Sequence, residues 1–136
     1  MRRIFVLIIL TSLLGCHSQC PPAPAPDPTV ALALIYQISP NNNQPLRVGQ
    51  QVDLTVSATY ALSSDSGTLA LYVEDANYKA FIKDYMKIGK GSGNGTFGHK
   101  FTVPNTSEVH VYVAAYPSGR ESTNTVARRD FRVVGR

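Results

Sequence analysis

The chain has 136 residues, which is room for one domain and an appendage. A hydrophobic fraction of 43% and a charged fraction of 16% exclude wholesale disorder. Without Arg2 and Arg3, which we expect to be removed, the 13 basic residues become 11 against 9 acidic ones, a surplus too small for strong long-range attraction to nucleic acid.

Residues 1–15 have the pattern of a signal peptide. A short positive region precedes residues 4–14, which are apolar except for Thr11 and Ser12. That apolar run is too short to span a bilayer, which takes roughly 20 residues. It matches the apolar region of a secretory signal. An ordinary cleavage site after Gly15 is disfavoured, because Leu13 is too large for the position three before the cut.

The four residues Leu13-Leu14-Gly15-Cys16 directly follow this run. They resemble the lipobox of bacterial lipoproteins, which implies cleavage before Cys16 and attachment of acyl chains such as palmitate there. Each buried methylene adds about 0.8 kcal/mol of membrane affinity, so two or three chains anchor the protein to the lipid bilayer. In a Gram-negative cell an Asp after the lipidated Cys is similar to an inner-membrane retention signal. His17 at that position implies the outer membrane.

The segment after Cys16 is expected to be a tether over residues 16–28. Five prolines between Cys20 and Thr29 favour polyproline II, which spans roughly 25 Å here at about 3.1 Å per residue. A ligand for proline-recognition modules is the alternative interpretation. Cys20 is a free thiol, an intermolecular disulfide or an inert tail residue, and a Cys16–Cys20 disulfide becomes possible if Cys16 is not lipidated.

From Thr29 onward, apolar residues recur with period two, which predicts half-buried strands in a domain over residues 29–136. We expect turns at residues 40–43, at Ser63–Gly67 and at 117–119, and a glycine-rich bend at Gly89–Gly95. The positions expected to share a face within each strand are Val30, Leu32, Leu34, Tyr36 and Ile38; Val52, Leu54, Val56, Ala58, Tyr60 and Leu62; Leu69, Leu71 and Val73; Phe97, Phe101 and Val103; and Val109, Val111, Val113 and Ala115.

Two stretches have a less regular pattern. Residues 75–95 predict a loop or a single helical turn, followed by an edge strand near Tyr85. The last strand is expected over about residues 125–134. Its apolar phase slips between Val126 and Phe131, which indicates a β-bulge.

About seven strands without a convincing long helix predict an all-β, antiparallel, two-sheet sandwich. The order of features, including Gly49-x-x-Val52-x-Leu54-x-Val56, resembles bacterial immunoglobulin-like and fibronectin-type-III-like domains. The Cys…Trp…Cys signature of true immunoglobulin domains is missing, which excludes that narrower family. A transthyretin-like sandwich is the alternative.

Catalytic and metal-binding patterns are scarce in the sequence. His17 falls in the tail, His99 is in phase with inward residues, and His110 is out of phase and expected to face solvent. The last two therefore fall on opposite faces, so we predict no metal site and no cofactor. There is no Gly-x-Ser-x-Gly motif. A compact sandwich of this size also leaves little room for a closed pocket, so we expect no enzyme activity. Gly91 follows Lys90 where a P-loop requires Ser or Thr, so the glycine-rich stretch is expected to be a bend between strands and not a phosphate-binding loop.

Basic residues interleave with aromatic ones between residues 78 and 90. Such patterns bind anionic polymers, and in an exported protein an anionic envelope glycan or lipid headgroup is the expected target. The alternative is a solvated strand edge whose lysines block strand pairing. The residues concerned are Lys79, Lys83, Lys87 and Lys90 with Tyr78, Phe81 and Tyr85.

Two functions remain open on the sequence alone. The first is a non-enzymatic binding module for an envelope protein or glycan, with no nucleic-acid partner, since loops at one end of a sandwich commonly carry recognition. The second is a structural or assembly subunit of an envelope complex such as a secretion machine, joined through Cys20 or an exposed strand edge. The candidate binding loops comprise Ser63, Ser64, Asp65, Ser118, Arg120, Glu121 and Asn124.

Overall fold

The computed structural model describes residues 30–120 and 126–135, and all of the regular structure there is β-strand. In chain order the strands are β1 (Ala31–Ser39), β2 (Leu46–Arg47), β3 (Gln51–Asp75), β4 (Ala80–Thr102), β5 (Glu108–Pro117) and β6 (Val126–Val134). None of the described residues forms a helix long and apolar enough to cross a membrane. The predicted signal peptide, Cys16 and the tether lie outside the described residues.

The two long strands β3 and β4 each take part in two sheets. Residues 51–62 of β3 pair with residues 91–102 of β4 on one side, and residues 55–62 pair with β1 on the other, which gives a three-stranded sheet. Residues 67–75 of β3 pair with β5 and with the first part of β4, and β6 extends this four-stranded sheet beyond β5. These pairings are antiparallel, and only the short β2 pairs in parallel, with β6.

This architecture confirms the all-β antiparallel sandwich and alters its connections. The seven predicted strands correspond to β1, the two parts of β3, the two parts of β4, β5 and β6. The prediction of a turn at Ser63–Gly67 is wrong, because the chain stays extended while its pairing register with β4 shifts between Leu62 and Ser66. The predicted bend at Gly89–Gly95 is likewise part of β4.

Gly67 lies where β3 passes from one sheet to the other. A Cβ at this position would overlap the carbonyl oxygen of Tyr116 and would lie 2.8 Å from Cδ2 of Leu62. The crossing therefore depends on the close approach of backbone that only glycine permits. That requirement, and not a turn, explains the glycine here.

The first strand faces the opposite way from its predicted orientation. Ala31, Ala33 and Ile35 are buried, whereas the predicted set from Val30 to Tyr36 points outward. A register shift between Ile35 and Gln37 then lets Ile38 pack against the core. The sequence is apolar at every position from 30 to 36, so the period-two pattern could not choose between the two faces.

Most other predicted inward positions are confirmed. The buried core includes Val52, Leu54, Val56, Ala58, Leu62, Leu69, Leu71, Val73, Phe97, Val103, Val109, Val111, Val113 and Ala115, with Tyr60 and Phe101 packed partly buried against it. The predicted bulge in the last strand is wrong, since β6 pairs with β5 without a register shift and Val126 simply faces outward.

The stretch after β3 is a short connection followed by an edge strand, as predicted, without a helical turn. Among the described strands, β4 pairs only with β3. Within β4, Nε2 of the half-buried His99 lies 2.8 Å from Oδ2 of Asp84, which ties the part of β4 in the three-stranded sheet to the part in the four-stranded sheet.

Candidate binding surface

The loop segments predicted to bind are brought next to each other. The backbone N–H of Ser118 donates to the carbonyl of Ser66 at 3.0 Å, and the two hydroxyl oxygens are 2.8 Å apart. The irregular part of β3 and the segment after β5 therefore form one surface region. The predicted residues Glu121 and Asn124 lie outside the described residues.

The serines of this region are used in local structure. Oγ of Ser63 accepts a hydrogen bond from the Val30 N–H at 2.8 Å, and the Ser64 hydroxyl donates to the Ser66 carbonyl at 2.9 Å. Asp65, whose side chain is almost fully exposed, forms an ion pair with Lys90 at 3.6 Å. These contacts stabilise the irregular segment at residues 63–66. Arg120, the remaining described residue of the predicted set, faces a neighbouring surface.

That surface is the outer side of the four-stranded sheet, and five of the chain's seven tyrosines lie on it. The register places Tyr72 opposite both Tyr112 of β5 and Lys83 of β4. Directly opposed residues of a sheet share a face. We call this surface the tyrosine face, and its tyrosines are Tyr72, Tyr78, Tyr85, Tyr112 and Tyr116.

Two shallow hollows lie on the tyrosine face. One, of about 400 Å³, is lined by Thr68, Tyr72, Tyr85, Tyr116 and Arg120. The other, of about 300 Å³, shares Tyr72 and Tyr116 with it. The rings of Tyr72 and Tyr85 meet edge to face with centroids 6.0 Å apart. The first hollow thus combines flat aromatic walls with hydroxyl groups and one guanidinium.

Burial raises the pKa of Tyr72, and the hydrogen-bonding hydroxyls of Tyr85 and Tyr116 raise it further. Burial also raises the pKa of Tyr112, although the charge of Arg128 opposes the shift. Both hydroxyls therefore stay protonated through the physiological pH range. They offer neutral donors and acceptors to a ligand.

Two lysines flank Tyr85 on the exposed side of β4. Lys83 lies opposite Tyr72 and Lys87 lies opposite Thr68, so both belong to the tyrosine face. The ion pairs that lysine and arginine form within residues 30–120 and 126–135 use Lys90, Lys100 and Arg128. Lys83, Lys87 and Arg120 therefore surround the first hollow without a carboxylate partner there.

His110 lies at the other end of the tyrosine face, and the prediction that it faces solvent is wrong. It is on the outer side of β5, as its phase predicts, yet it is only 2% exposed. The ring of Tyr78 stacks over the imidazole with centroids 5.2 Å apart. Tyr78 reaches it from the connection after β3, where its φ of 60° is unusual for a residue other than glycine. Tyr78, which is distant from His110 in the sequence, therefore excludes solvent from the imidazole.

The buried imidazole is part of a charged network. Nδ1 of His110 lies 2.8 Å from Oδ1 of Asp130 and 2.9 Å from Nη2 of Arg128. Nδ1 can donate to the carboxylate or accept from the guanidinium, but not both at once. The Arg128 guanidinium also donates from Nε to Asp130 and lies 5.3 Å from the ring centre of Tyr112.

Partial burial of Asp130 favours its neutral form, but hydrogen bonds from Arg128 and His110 and the charge of Arg128 outweigh burial. The pKa of Asp130 is therefore lower than its ordinary value. Hydrogen bonding to Asp130 raises the pKa of Arg128. These groups stabilise each other's charges, so they hold the end of the tyrosine face in place.

The groups of the tyrosine face can make three kinds of noncovalent contact. Within residues 30–120 and 126–135, no three His, Cys, Asp or Glu side chains are grouped so that they could hold a metal ion. The aromatic rings offer flat apolar contact and the hydroxyls offer hydrogen bonds. The cations offer charge to an anionic group.

The outer side of the three-stranded sheet carries exposed apolar residues on β1. The outward residues of this strand, together with the residue before it, form an apolar strip made of Val30, Leu32, Leu34 and Tyr36. A third hollow, of about 450 Å³, is lined by Leu32, Leu34, Tyr60 and small residues of β1, β3 and β4. Residues 30–38 contain no charged side chain. This is contiguous exposed apolar surface of the kind that marks interaction sites.

Sequence reasoning identified part of the tyrosine face. Of the lysines and aromatics predicted to act together between residues 78 and 90, Lys83, Tyr85 and Lys87 share this surface. Lys90 instead pairs with Asp65, and Phe81 packs against Phe101. Tyr72, Tyr112 and Tyr116 were missed, although each alternates with buried residues of its strand. The available signal was tyrosine at outward positions of strands whose inward positions are apolar.

No protein-family model matches the sequence, and neither does any curated protein. Among solved structures, the chain is similar to the CARDB domain of a Pyrococcus furiosus protein in complex with di-metal ions, at 14% identity and a TM-score of 0.51. That match covers 79% of this chain and 96% of the domain. A match to a Listeria innocua β-glucosidase has 15% identity, a TM-score of 0.48 and 79% coverage of this chain, but only 16% of the enzyme. The fold is therefore an immunoglobulin-like β-sandwich with a CARDB domain as structural neighbour.

Proposed function

We propose that the protein is a membrane-anchored lipoprotein of the cell envelope whose sandwich acts as a non-enzymatic binding module, with the tyrosine face as its binding surface. The observation that carries this proposal is the placement of five tyrosines on one sheet face, beside three cations that have no carboxylate partner among the described residues. A CARDB neighbour is consistent with such a module.

Tyrosine suits this purpose for a physical reason. Its ring supplies a large, rigid contact area at low cost in conformational entropy, and its hydroxyl tolerates water. Tyrosine and arginine are enriched where proteins bind partners. Tyr85 is 56% exposed, so its ring is available to a ligand without unfolding of the strand.

The anchor rests on Leu13-Leu14-Gly15-Cys16 and the preceding apolar run. Acylated Cys16 would hold the domain at the bilayer, and the tether at residues 16–28 would separate it from the lipid headgroups. Mass spectrometry of the mature amino terminus tests this step. We expect the chain to begin at Cys16 with added acyl mass, and an unmodified Cys16 would overturn the anchor.

The binding surface is tested with two matched tyrosines. Full-length protein carrying Tyr85→Ser is compared with Tyr36→Ser, since Tyr36 is 55% exposed and lies on the other sheet. Capture of envelope components by the Tyr85 variant should fall about tenfold, which corresponds to the 1.4 kcal/mol of a moderate aromatic contact. Capture by the Tyr36 variant should be unchanged. The opposite pattern would remove the tyrosine face as the binding surface.

The predicted loop residues are tested separately. Arg120 lines the first hollow, so Arg120→Ala should weaken capture. If Arg120→Ala and Glu121→Ala together lose no partner, the loop region is removed from the binding site. The tyrosine face would then be left with Lys83 and Lys87 as its cations.

A second candidate function is that of a structural or assembly subunit of an envelope complex such as a secretion machine. The apolar strip favours it, because Leu34 is 60% exposed on an uncharged strand and would be covered by a protein subunit. Leu34→Lys should abolish stoichiometric co-purification after mild detergent extraction. Crosslinking that shows only monomer would count against this function.

A further inference from the structure

The cations of the tyrosine face are concentrated around one of its two hollows. Arg120 lines the first hollow, and Lys83 and Lys87 lie opposite two of its lining residues. At the other end of the face, Arg128 is paired with Asp130, and Arg132 lies opposite Glu108. The first hollow is therefore the part of the described face where three cations lie together without an acidic residue opposite them.

The walls of the same hollow present both apolar rings and hydroxyl groups. Thr68 and three tyrosines line it, and the raised pKa of Tyr72 keeps its hydroxyl protonated. Sugar rings have weakly apolar C–H faces and peripheral hydroxyl groups. They pack on aromatic rings and hydrogen bond at the edges, which is the combination of contacts that this hollow offers.

The composition of this part of the face favours a sugar over a nucleic acid. Lys83 and Lys87 lie four residues apart on one strand, or about 13 Å at 3.3 Å per residue, with Tyr85 between them. Their long side chains can converge on one anionic group beside that ring, whereas a single-stranded nucleic acid is bound along a positively charged groove that follows its backbone. The described part of the face carries Glu74 and Glu108 beyond this hollow, and these carboxylates would interrupt such a groove.

We infer that the hollow lined by Thr68, Tyr72, Tyr85, Tyr116 and Arg120 binds an acidic glycan, with the sugar ring on the tyrosines and its carboxylate or phosphate group between the lysines. This inference rests on the proposed function and adds the chemical class of the ligand. Carboxylate and phosphate sugars share the chemistry, and the experiment separates them.

The test measures binding of full-length protein in detergent to four probes. Polygalacturonate carries carboxylates, phosphomannan carries phosphates, dextran is neutral and poly(dT) is a single-stranded nucleic acid. The test variant is Lys83→Gln with Lys87→Gln. The matched control is Lys90→Gln with Lys100→Gln, which removes the same charge from lysines that are paired with Asp65 and Asp53.

We expect one of the two acidic glycans to bind, and we expect the Lys83 and Lys87 variant to lose about tenfold in affinity. That figure assumes about 0.7 kcal/mol per cation, within the range measured for exposed pairs. The control variant should change by less than twofold. The affinity should also fall with added salt.

Three outcomes would overturn the inference. They are equal binding of dextran and the acidic glycans, tighter binding of poly(dT), and no binding of either acidic glycan at millimolar concentration of charged groups. The proposed function is judged separately by capture of envelope components with Tyr85→Ser. If that capture falls while the acidic glycans fail, the binding surface stands and the ligand class is wrong.

Discussion

The two outer faces of the sandwich are built on different principles. The four-stranded sheet exposes tyrosines and cations, and its histidine is covered by Tyr78. The three-stranded sheet exposes the apolar strip beside serine and threonine positions, together with the ion pair of Asp53 and Lys100. Tyrosine and lysine have polar groups that remain hydrated in the absence of a ligand. A contiguous strip that includes leucines has no such groups, and burial against a protein partner would remove its apolar surface from water. This difference is the basis for proposing ligand binding on the four-stranded sheet and, as the second candidate function, assembly through the three-stranded sheet.

The largest expected effect tests the orientation of β1. Ala33 is buried and Leu34 is exposed, so Ala33→Asp should place an unpaired charge in the core. We expect a loss of about 3 kcal/mol or more, or failure to fold. Leu34→Asp is the control and should stay within about 0.5 kcal/mol. Urea unfolding measures both, and a larger loss for the Leu34 variant would mean that the apolar strip faces the core.

The next effect concerns the crossing between the two faces. Gly67→Ala should cost about 1–3 kcal/mol, because the new Cβ would overlap the Tyr116 carbonyl and force the two strands apart. Gly89→Ala is a suitable control, since a Cβ there meets nothing within 4 Å. Thermal unfolding distinguishes them. Equal stability of the two variants would contradict the close approach at Gly67.

A smaller, pH-dependent effect is expected at Asp130. Its pKa is lowered on folding, so its contribution is complete above the unfolded pKa near 3.9 and is lost as the pH falls through the lower folded value. Asp130→Asn should cost about 1 kcal/mol at pH 7, the value of one hydrogen bond. The difference from the unmodified protein should shrink toward zero as the pH approaches 2. A difference that stays constant over pH 2–7 would contradict the ionised carboxylate in this network.

Strands with a clear alternation could be predicted from the sequence, and β1 could not. Between residues 52 and 62 polar residues mark the outer face, so the inward set was assigned correctly. In β1 both faces are apolar, and the choice depends on where small alanines fit against the opposite sheet. Local composition also suggested turns at Ser63–Gly67 and Gly89–Gly95, whereas pairing of β3 with β4 keeps both segments extended.

The candidate site was partly predictable for the same reason. Lys83 and Tyr85 are neighbours in sequence, so their joint surface could be predicted. Tyr72, Tyr112 and Tyr116 come from different parts of the chain and meet only through the pairing of β3 with β4 and β5. The burial of His110 depends on Tyr78, which is 32 positions away, and no local pattern shows that contact.

Photocrosslinking in cells can show directly whether the tyrosine face, and not the apolar strip, contacts the envelope polymer. The photoreactive p-benzoylphenylalanine replaces either Tyr85 or Tyr36, which are almost equally exposed on opposite faces. Adducts are then separated by gel electrophoresis. We expect envelope-polymer adducts from position 85 and no polymer adducts from position 36. Polymer adducts from position 36 alone, or equally from both positions, would contradict it.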